Sequence, residues 1–361
     1  MAEYDPSASN APIPTTRAPT IREVAAMAGV STMTVSNVLN ATKNVQASTR
    51  DAVLAAVEAL GYRPNSAARN LARSEHFRIG LLYRNPENAF LGSLLVGTLR
   101  ATTRLSAQLV IQPFESENPK AVVVAVKKLI AGGMDGLLLP PPLCEFVNDS
   151  EIMARSTIPI MGIAPGGPLS NMASVRIDDR AAMRVATQKL LDLGHRRIGF
   201  IRGPRLHRAA ATRQDGYNLA LHDAGLSLDP ALVVEGNFDF DSGLIAAERL
   251  LALATPPTAI IASNDDMAAA VVSVAHRRQI IVPQQLSIIG FDDTPISHKI
   301  WPRLATVRQP ISAMAELAAE TIVAVLRARK AGVAMPLEDR FLEYTFLERE
   351  SLAPVQTPPA A

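Results

Sequence analysis

The chain has 361 residues, 48% of them hydrophobic and 19% charged, which suits two or three folded domains with a sizeable core and excludes an intrinsically disordered polymer. One cysteine, Cys144, excludes an intrachain disulfide framework and fits a reducing compartment. No apolar run approaches the roughly 20 residues that span a bilayer, and no basic-then-apolar leader opens the chain, so the expected place is the cytoplasm, with no membrane partner.

Residues 1–17 are rich in Ala, Pro, Ser and Thr without periodicity and read as a disordered extension. Thr20 then caps a short helix, and Glu23 completes a capping box. Ile21, Val24, Ala25 and Ala28 recur at helical spacing. Gly29 permits a sharp turn, Val30 plugs the angle, and Ser31 caps a second helix with Val35, Val38 and Leu39 inward. Its other face, Thr32, Met33, Ser36 and Asn37, is small or polar and suited to a DNA groove. The pattern is a helix-turn-helix. After a loop at 41–47, Ser48 is expected to cap a third helix with Val53, Val57 and Leu60 inward and Gly61 at its end. The segment 66–73 has good helix formers but is too short to be stable alone, so it is expected to fold on binding. From Arg17 to Ser74 there are seven basic residues against three acidic ones, +4, which leaves −2 for the rest. A basic head on a slightly acidic body is the asymmetry of a DNA-binding module.

From Arg78 the texture alternates. Strands are expected at 79–82, 109–111, 136–139 and 158–161, with helices around Leu91–Leu105 and Val122–Ile130 between them. The alternation restarts with helices at 181–193, 208–224, 242–254 and 267–278 and strands at 197–201, 232–234, 259–262 and 286–290. Two parallel sheets, each covered by helices on both faces, follow. Two such subdomains side by side make a cleft. A strand after Ala305, a helix at 311–329 and a strand-like 341–348 are expected to cross back between the subdomains as a hinge, before a tail over 351–361.

The residues resemble the lactose-repressor/galactose-repressor family of bacterial transcription regulators. Thr20-Ile21-x-Glu23-Val24-Ala25, Ala28-Gly29-Val30-Ser31, Thr34-Val35-Ser36 and Val38-Leu39-Asn40 lie in one register, continued by Val45, Thr49-Arg50, Leu60-Gly61-Tyr62-x-Pro64-Asn65 and Ala68-Arg69-x-Leu71. In the body, Leu193-Gly194-His195-Arg196-Arg197-Ile198, Arg213 with Gly216-Tyr217, Asn264-Asp265 and Gly290-Phe291-Asp292-Asp293 match the family's landmarks. The resemblance implies an all-α helix-turn-helix head over 18–73, with a hinge helix at 66–73. It also implies a periplasmic-binding-protein-like α/β body over 77–350, made of two doubly wound parallel-sheet subdomains.

By the same resemblance the chain is a repressor that binds a pseudo-palindromic double-stranded operator as a homodimer, under the control of a small-molecule effector, a sugar or sugar derivative. No cofactor or metal is expected. Thr32, Met33 and Asn37 stand at base-reading positions; Met33 is equally readable as a partly buried helix residue. Asn37 departs from the Arg, His or Tyr that family members often carry there. Ser31, Thr34, Ser36, Asn40 and Asn65 resemble phosphate-facing positions, and Leu71 resembles the leucine that wedges into the minor groove. Phe90, Leu91, Arg213, Asn264 and Asp292 are the expected effector contacts. Asp265, Asp266 and Asp293 read instead as caps and structural acceptors, His195 as a surface or structural residue, and Trp301 as core packing ahead of sugar stacking.

Two competing readings fit the residues less well. A sugar-binding protein without a DNA role does not explain the helix-turn-helix. An enzyme on an α/β scaffold has no P-loop, no Gly-x-Ser-x-Gly and no zinc-spaced His/Cys set to stand on. The chain ends without a leucine heptad, so a tetramer of lac-repressor type is not supported.

Overall fold

The computed structural model describes residues 19–40, 45–62, 76–84, 89–116 and 118–355. They form two compact units divided between Glu75 and His76. The extension at 1–17, the hinge helix at 66–73 with Leu71, Asn65, and the side chain of Asn40 lie outside the described residues.

The head has three helices, α1 (Ile21–Met27), α2 (Thr32–Asn40) and α3 (Ala47–Leu60). The Glu23 carboxylate accepts from the Thr20 N–H at 2.5 Å and from its hydroxyl at 2.9 Å, so two groups at the open helix start are satisfied at once. Gly29 turns the chain at φ +64, and an added Cβ there would meet nothing within 4 Å. The need for glycine is therefore conformational, not spatial. Val24, Ala25, Val35, Val53 and Ala56 form a small buried core. One expectation needs correcting. The third helix starts at Ala47 with Gln46 at the cap position, so Ser48 lies inside the first turn and caps nothing.

The body contains two six-stranded sheets. In chain order the first lobe supplies β1 (Arg78–Tyr83), α4 (Ala89–Arg104), β2 (Gln108–Pro113), α5 (Pro119–Ala131), β3 (Gly136–Leu139), the short helices α6 (Leu143–Asn148) and α7 (Glu151–Arg155), β4 (Ile160–Ile163) and β5 (Ser174–Arg176). The second lobe supplies α8 (Asp179–Asp192), β6 (Ile198–Arg202), α9 (Arg208–Asp223), β7 (Val233–Glu235), α10 (Phe240–Leu251), β8 (Ala259–Ala262), α11 (Asp265–Arg277), β9 (Ser287–Asp292), α12 (Ile296–Lys299) and β10 (Ala305–Arg308). The final elements are α13 (Ile311–Lys330), β11 (Arg340–Phe341) and β12 (Thr345–Leu347).

The strand orders are β11-β5-β4-β3-β1-β2 and β12-β10-β9-β8-β6-β7. Their inner orders are the same, which makes the lobes two copies of one plan. Every pair is parallel except β10 with β12. The inner strands β3, β4 and β8 are buried at every position, as continuous apolar runs must be when helices cover both faces. Side-chain caps from Asn118, Asp178, Asp239 and Asn264 start α5, α8, α10 and α11.

The chain crosses between lobes three times: after β5, after β10, and between β11 and β12. The helix α13 returns to the first lobe and packs on α4 and the sheet there. The expected strand at 341–348 is in fact two strands serving different sheets. The strand β5 and the helices α6 and α7 had no counterpart in the sequence reading, because three to six residues carry too little period to register. The expected tail is also partly structural. Ser351 is buried; its hydroxyl accepts from Ala305 N–H at 2.8 Å and donates to the Ile288 carbonyl at 2.6 Å.

Gly29→Ala should cost the head about 1–2 kcal/mol, because a Cβ opposes the left-handed conformation. Hydrogen exchange of the α2 amides should then speed up by roughly 5- to 30-fold, with exchange in the body unchanged.

Candidate functional site

Because all the inner strands are parallel and the lobes face one another, the carboxyl ends of both sheets open on the same space. There the body holds a cavity of about 570 Å3, within the range of small-molecule sites. Tyr83 ends β1, Phe90 and Leu91 start α4, Phe114 follows β2, Pro140–Pro142 stop β3, and Ala164 follows β4. From the other lobe come His207 after β6, Phe238 after β7, Asn264 after β8, Asp292 at the end of β9 and Gln309 after β10. Three of the lining residues that are not glycine have left-handed backbones: Ala164 at φ +53, Phe238 at +61 and Asp292 at +107. Strain of about 1–3 kcal/mol at such a residue persists only where the surrounding fold over-determines it.

The floor of the cavity is a buried charge cluster. Arg213 Nε donates to Asp179 Oδ1 at 2.7 Å, and Nη1 donates to the Ser263 carbonyl at 2.6 Å. Its Nη2 lies 3.8 Å from Asp292 Oδ1, and its plane lies 3.7 Å over the Phe291 ring. Gln309 Nε2 donates to the same Asp292 oxygen at 2.5 Å. Asp179, Arg213, Asp292 and Gln309 are all buried. Burial pushes the Asp292 carboxyl up to about 7, against the pull of Arg213 and the Gln309 hydrogen bond. Behind it Asp265 is raised too, first by burial and then by the Asp292 charge. Asp265 accepts from Thr306 Oγ1 at 2.6 Å and Thr294 N–H at 2.6 Å, which makes it a fastener for the β9–β10 end.

At the side of the cavity the lobes touch directly. Thr212 Oγ1 donates to the Gly166 carbonyl at 2.6 Å, and Arg208 Nη1 donates to the Pro168 carbonyl at 2.9 Å. A Cβ on Gly166 would stand 2.1 Å from the Ala209 backbone nitrogen, so only glycine permits this approach.

In the head, α2 turns Val35 into the core and presents Thr32 and Met33 to solvent, with Ser36 and Asn37 half-buried beside them. Met33 is 69% exposed, so its alternative reading as a partly buried helix residue does not hold. The Ser31 hydroxyl accepts from the Thr34 N–H at 3.1 Å and shares a 2.9 Å hydrogen bond with the Thr34 hydroxyl. The two side chains are thereby fixed in place at the start of α2.

Comparison with known proteins agrees with both units. Residues 20–65 match the family model "Bacterial regulatory proteins, lacI family", and residues 187–352 match a periplasmic binding protein-like domain. Catabolite control protein A of Priestia megaterium is 34% identical over 81% of this chain and 88% of its own length. The ribose operon repressor of Escherichia coli K12 is 33% identical over 84% and 92%. The chain belongs to the LacI family of bacterial regulatory proteins. Among solved structures, the lac repressor dimer bound to operator and the anti-inducer ONPF has a TM-score of 0.74 at 26% identity, covering 93% of this chain and 99% of that one. A transcriptional regulator CelR–cellobiose complex has a TM-score of 0.66 at 29% identity, covering 92% and 99%. As a LacI-family member the chain is a DNA-binding transcriptional regulator with an effector-binding body, not an enzyme.

All five cleft residues expected from the sequence line one cavity. Arg213 is not a surface ion-pair residue but a buried one that also holds Asp179. Leu91 is shared between the cavity and the core. Asn264 is committed structurally as well: its carbonyl oxygen caps α11 through Met267 N–H, and its amide donates to the Phe238 carbonyl. Gln309, Phe238 and His207 were missed. For Gln309 the available signal was its place one residue beyond a parallel strand, close to the place that Asn264 has two residues beyond its own strand.

One expectation fails. Trp301 is 71% exposed and belongs neither to the core nor to the cavity. His195 is structural but not on the surface. Its Nδ1 shares a hydrogen bond with Thr258 Oγ1 at 2.9 Å, and its Nε2 reaches Ser287 Oγ and the Ala353 carbonyl, both at 3.1 Å. Burial lowers its pKa. Asp293 is a structural acceptor as expected. Although burial opposes ionisation, the hydrogen-bonded Arg349 and Arg308 hold its carboxyl below the usual range.

The Asp292 carboxyl sets a pH dependence of stability. The folded chain keeps a proton that the unfolded chain gives up near pH 4. Stability therefore falls as pH rises from about 4 to about 7, and the cost is fully present above that. Asp292→Asn should melt higher than the parent at pH 8 in the absence of ligand, with the gap closing by pH 4 in a series of thermal melts.

Proposed function

We propose that this regulator is a repressor that binds a pseudo-palindromic operator as a homodimer and answers to a sugar or sugar derivative held in the cleft. The observation that carries the effector half is the meeting of both sheets' carboxyl ends on a floor of Asp292, Gln309 and Arg213 with aromatic walls. A carboxylate and a guanidinium side by side suit vicinal hydroxyls, and rings such as Phe90 and Phe238 suit the apolar faces of a sugar. The relatives whose names include ribose and cellobiose support the same class.

On the DNA side, Thr32, Met33 and Asn37 read base edges from α2. Ser31, Thr34, Ser36, Asn40 and Asn65 fix the register through phosphates, and Leu71 wedges the minor groove between half-sites. Effector binding favours one arrangement of the lobes and, through the segment at 66–73, one DNA-affinity state. The protein acts in the cytoplasm, where the operator is.

Asn37→Ala should cost about 1–3 kcal/mol on the operator and leave non-specific binding at the same salt unchanged. Leu71→Ala should likewise lose far more operator than random-sequence affinity in gel-shift titrations; equal losses would refute the wedge. For the cleft, Arg213→Ala is a poor probe, since breaking a buried pair costs about 3–5 kcal/mol and strands Asp179. Gln309→Ala is better suited. It should blunt effector response in an operator-release assay while operator affinity without effector stays at the parental value.

A further inference from the structure

The floor of the cleft carries two carboxylates on one guanidinium, and that imbalance bears on what can enter. Arg213 spends Nε on Asp179 and Nη1 on the Ser263 carbonyl, and Phe291 covers one of its faces. A bidentate fork to a phosphate or carboxylate would have to compete with these bonds. Asp292 stands 3.8 Å from the remaining Nη2 and has one oxygen taken by Gln309. Among the described residues, no donor reaches its other oxygen, and Asp292 lines the cavity. Among the described residues, no further arginine is in contact with Asp292.

The rim does not correct the imbalance. Arg84 and Arg205 line it together with Glu115, Glu235 and Asp239, two cations against three carboxylates, and Arg205 is paired to Glu235, which Arg202 also holds. Above about pH 7, where Asp292 is ionised, an anionic ligand would set its charge beside a surplus buried carboxylate that water cannot screen. An ammonium reaching the open Asp292 oxygen would lie beside the Arg213 guanidinium. A hydroxyl meets neither obstacle, and it donates to Asp292 in a charge-assisted hydrogen bond.

Resting on the effector-cleft reading, we propose that the cleft selects an uncharged polyhydroxylated effector and turns away its phosphorylated, carboxylated and aminated counterparts, with the surplus carboxylate of Asp292 as the selecting group. The full-length protein is titrated calorimetrically with D-ribose, D-glucose and cellobiose, and in parallel with ribose 5-phosphate, glucose 6-phosphate, glucuronate and glucosamine. Operator affinity is measured with each. At least one neutral sugar should bind, with every charged counterpart about 100-fold weaker or more. Asp292→Asn, which keeps the shape and removes the charge, should weaken the neutral sugar about tenfold or more and narrow the gap to its phosphate.

A charged member that binds as tightly as its neutral parent and shifts operator affinity overturns the selection and leaves the effector cleft standing. Undiminished neutral-sugar binding by Asp292→Asn overturns the role of that carboxylate. If no compound on either side binds or changes operator affinity, the selection and the sugar-effector reading both fall.

Discussion

The body depends on one arginine. Arg213, from α9, is held by Asp179 of α8, by the carbonyl that ends β8, and by the ring and carboxylate that end β9. Four elements of one lobe thus meet on a single buried guanidinium. Burying a guanidinium is costly unless its donors are matched, and here two hydrogen bonds and a nearby carboxylate match them. What the arrangement leaves over is acidity. Asp292 is buried beside a cation already committed elsewhere, an electrostatic cost that a hydroxyl-bearing ligand can relieve.

The same trade shows in the backbone. Positive φ at Ala164, Phe238 and Asp292 puts strain on residues that face the cavity from both lobes. The β9–β10 end is tied down by Asp265, Asp293 and Arg349, and the side contact at Gly166 leaves no room for a side chain. A rigid floor, a close-fitting side contact and three crossings give a body whose lobes can move only by a few concerted changes. That is the kind of element whose population a ligand can shift.

The head works on a different scale. Its core is five buried side chains with a few half-buried ones around them, so local features carry a large share of its stability: the Thr20–Glu23 box, the Gly29 turn and the Ser31 cap. The outer face of α2 is left to side chains that are exposed or half-buried, and changing them leaves the buried core intact. Specificity for DNA can thus vary while the scaffold stays the same.

The sequence by itself determined the helix-turn-helix, the βα alternation and most strand and helix positions within a few residues, because caps, glycine stops and apolar periods are local signals. It also placed Asn264 and Asp292 at strand ends, where parallel sheets bind ligands. It could not show that Arg213 is buried between two aspartates, that Gln309 joins them, or that Phe238 and His207 form part of the wall, since those contacts join residues 17 to 50 or more positions apart. Nor could it show His195 enclosed by the segment around Ala353 or Trp301 left in solvent. Burial is decided by which surfaces the three crossings bring together, and that is a property of the tertiary fold alone.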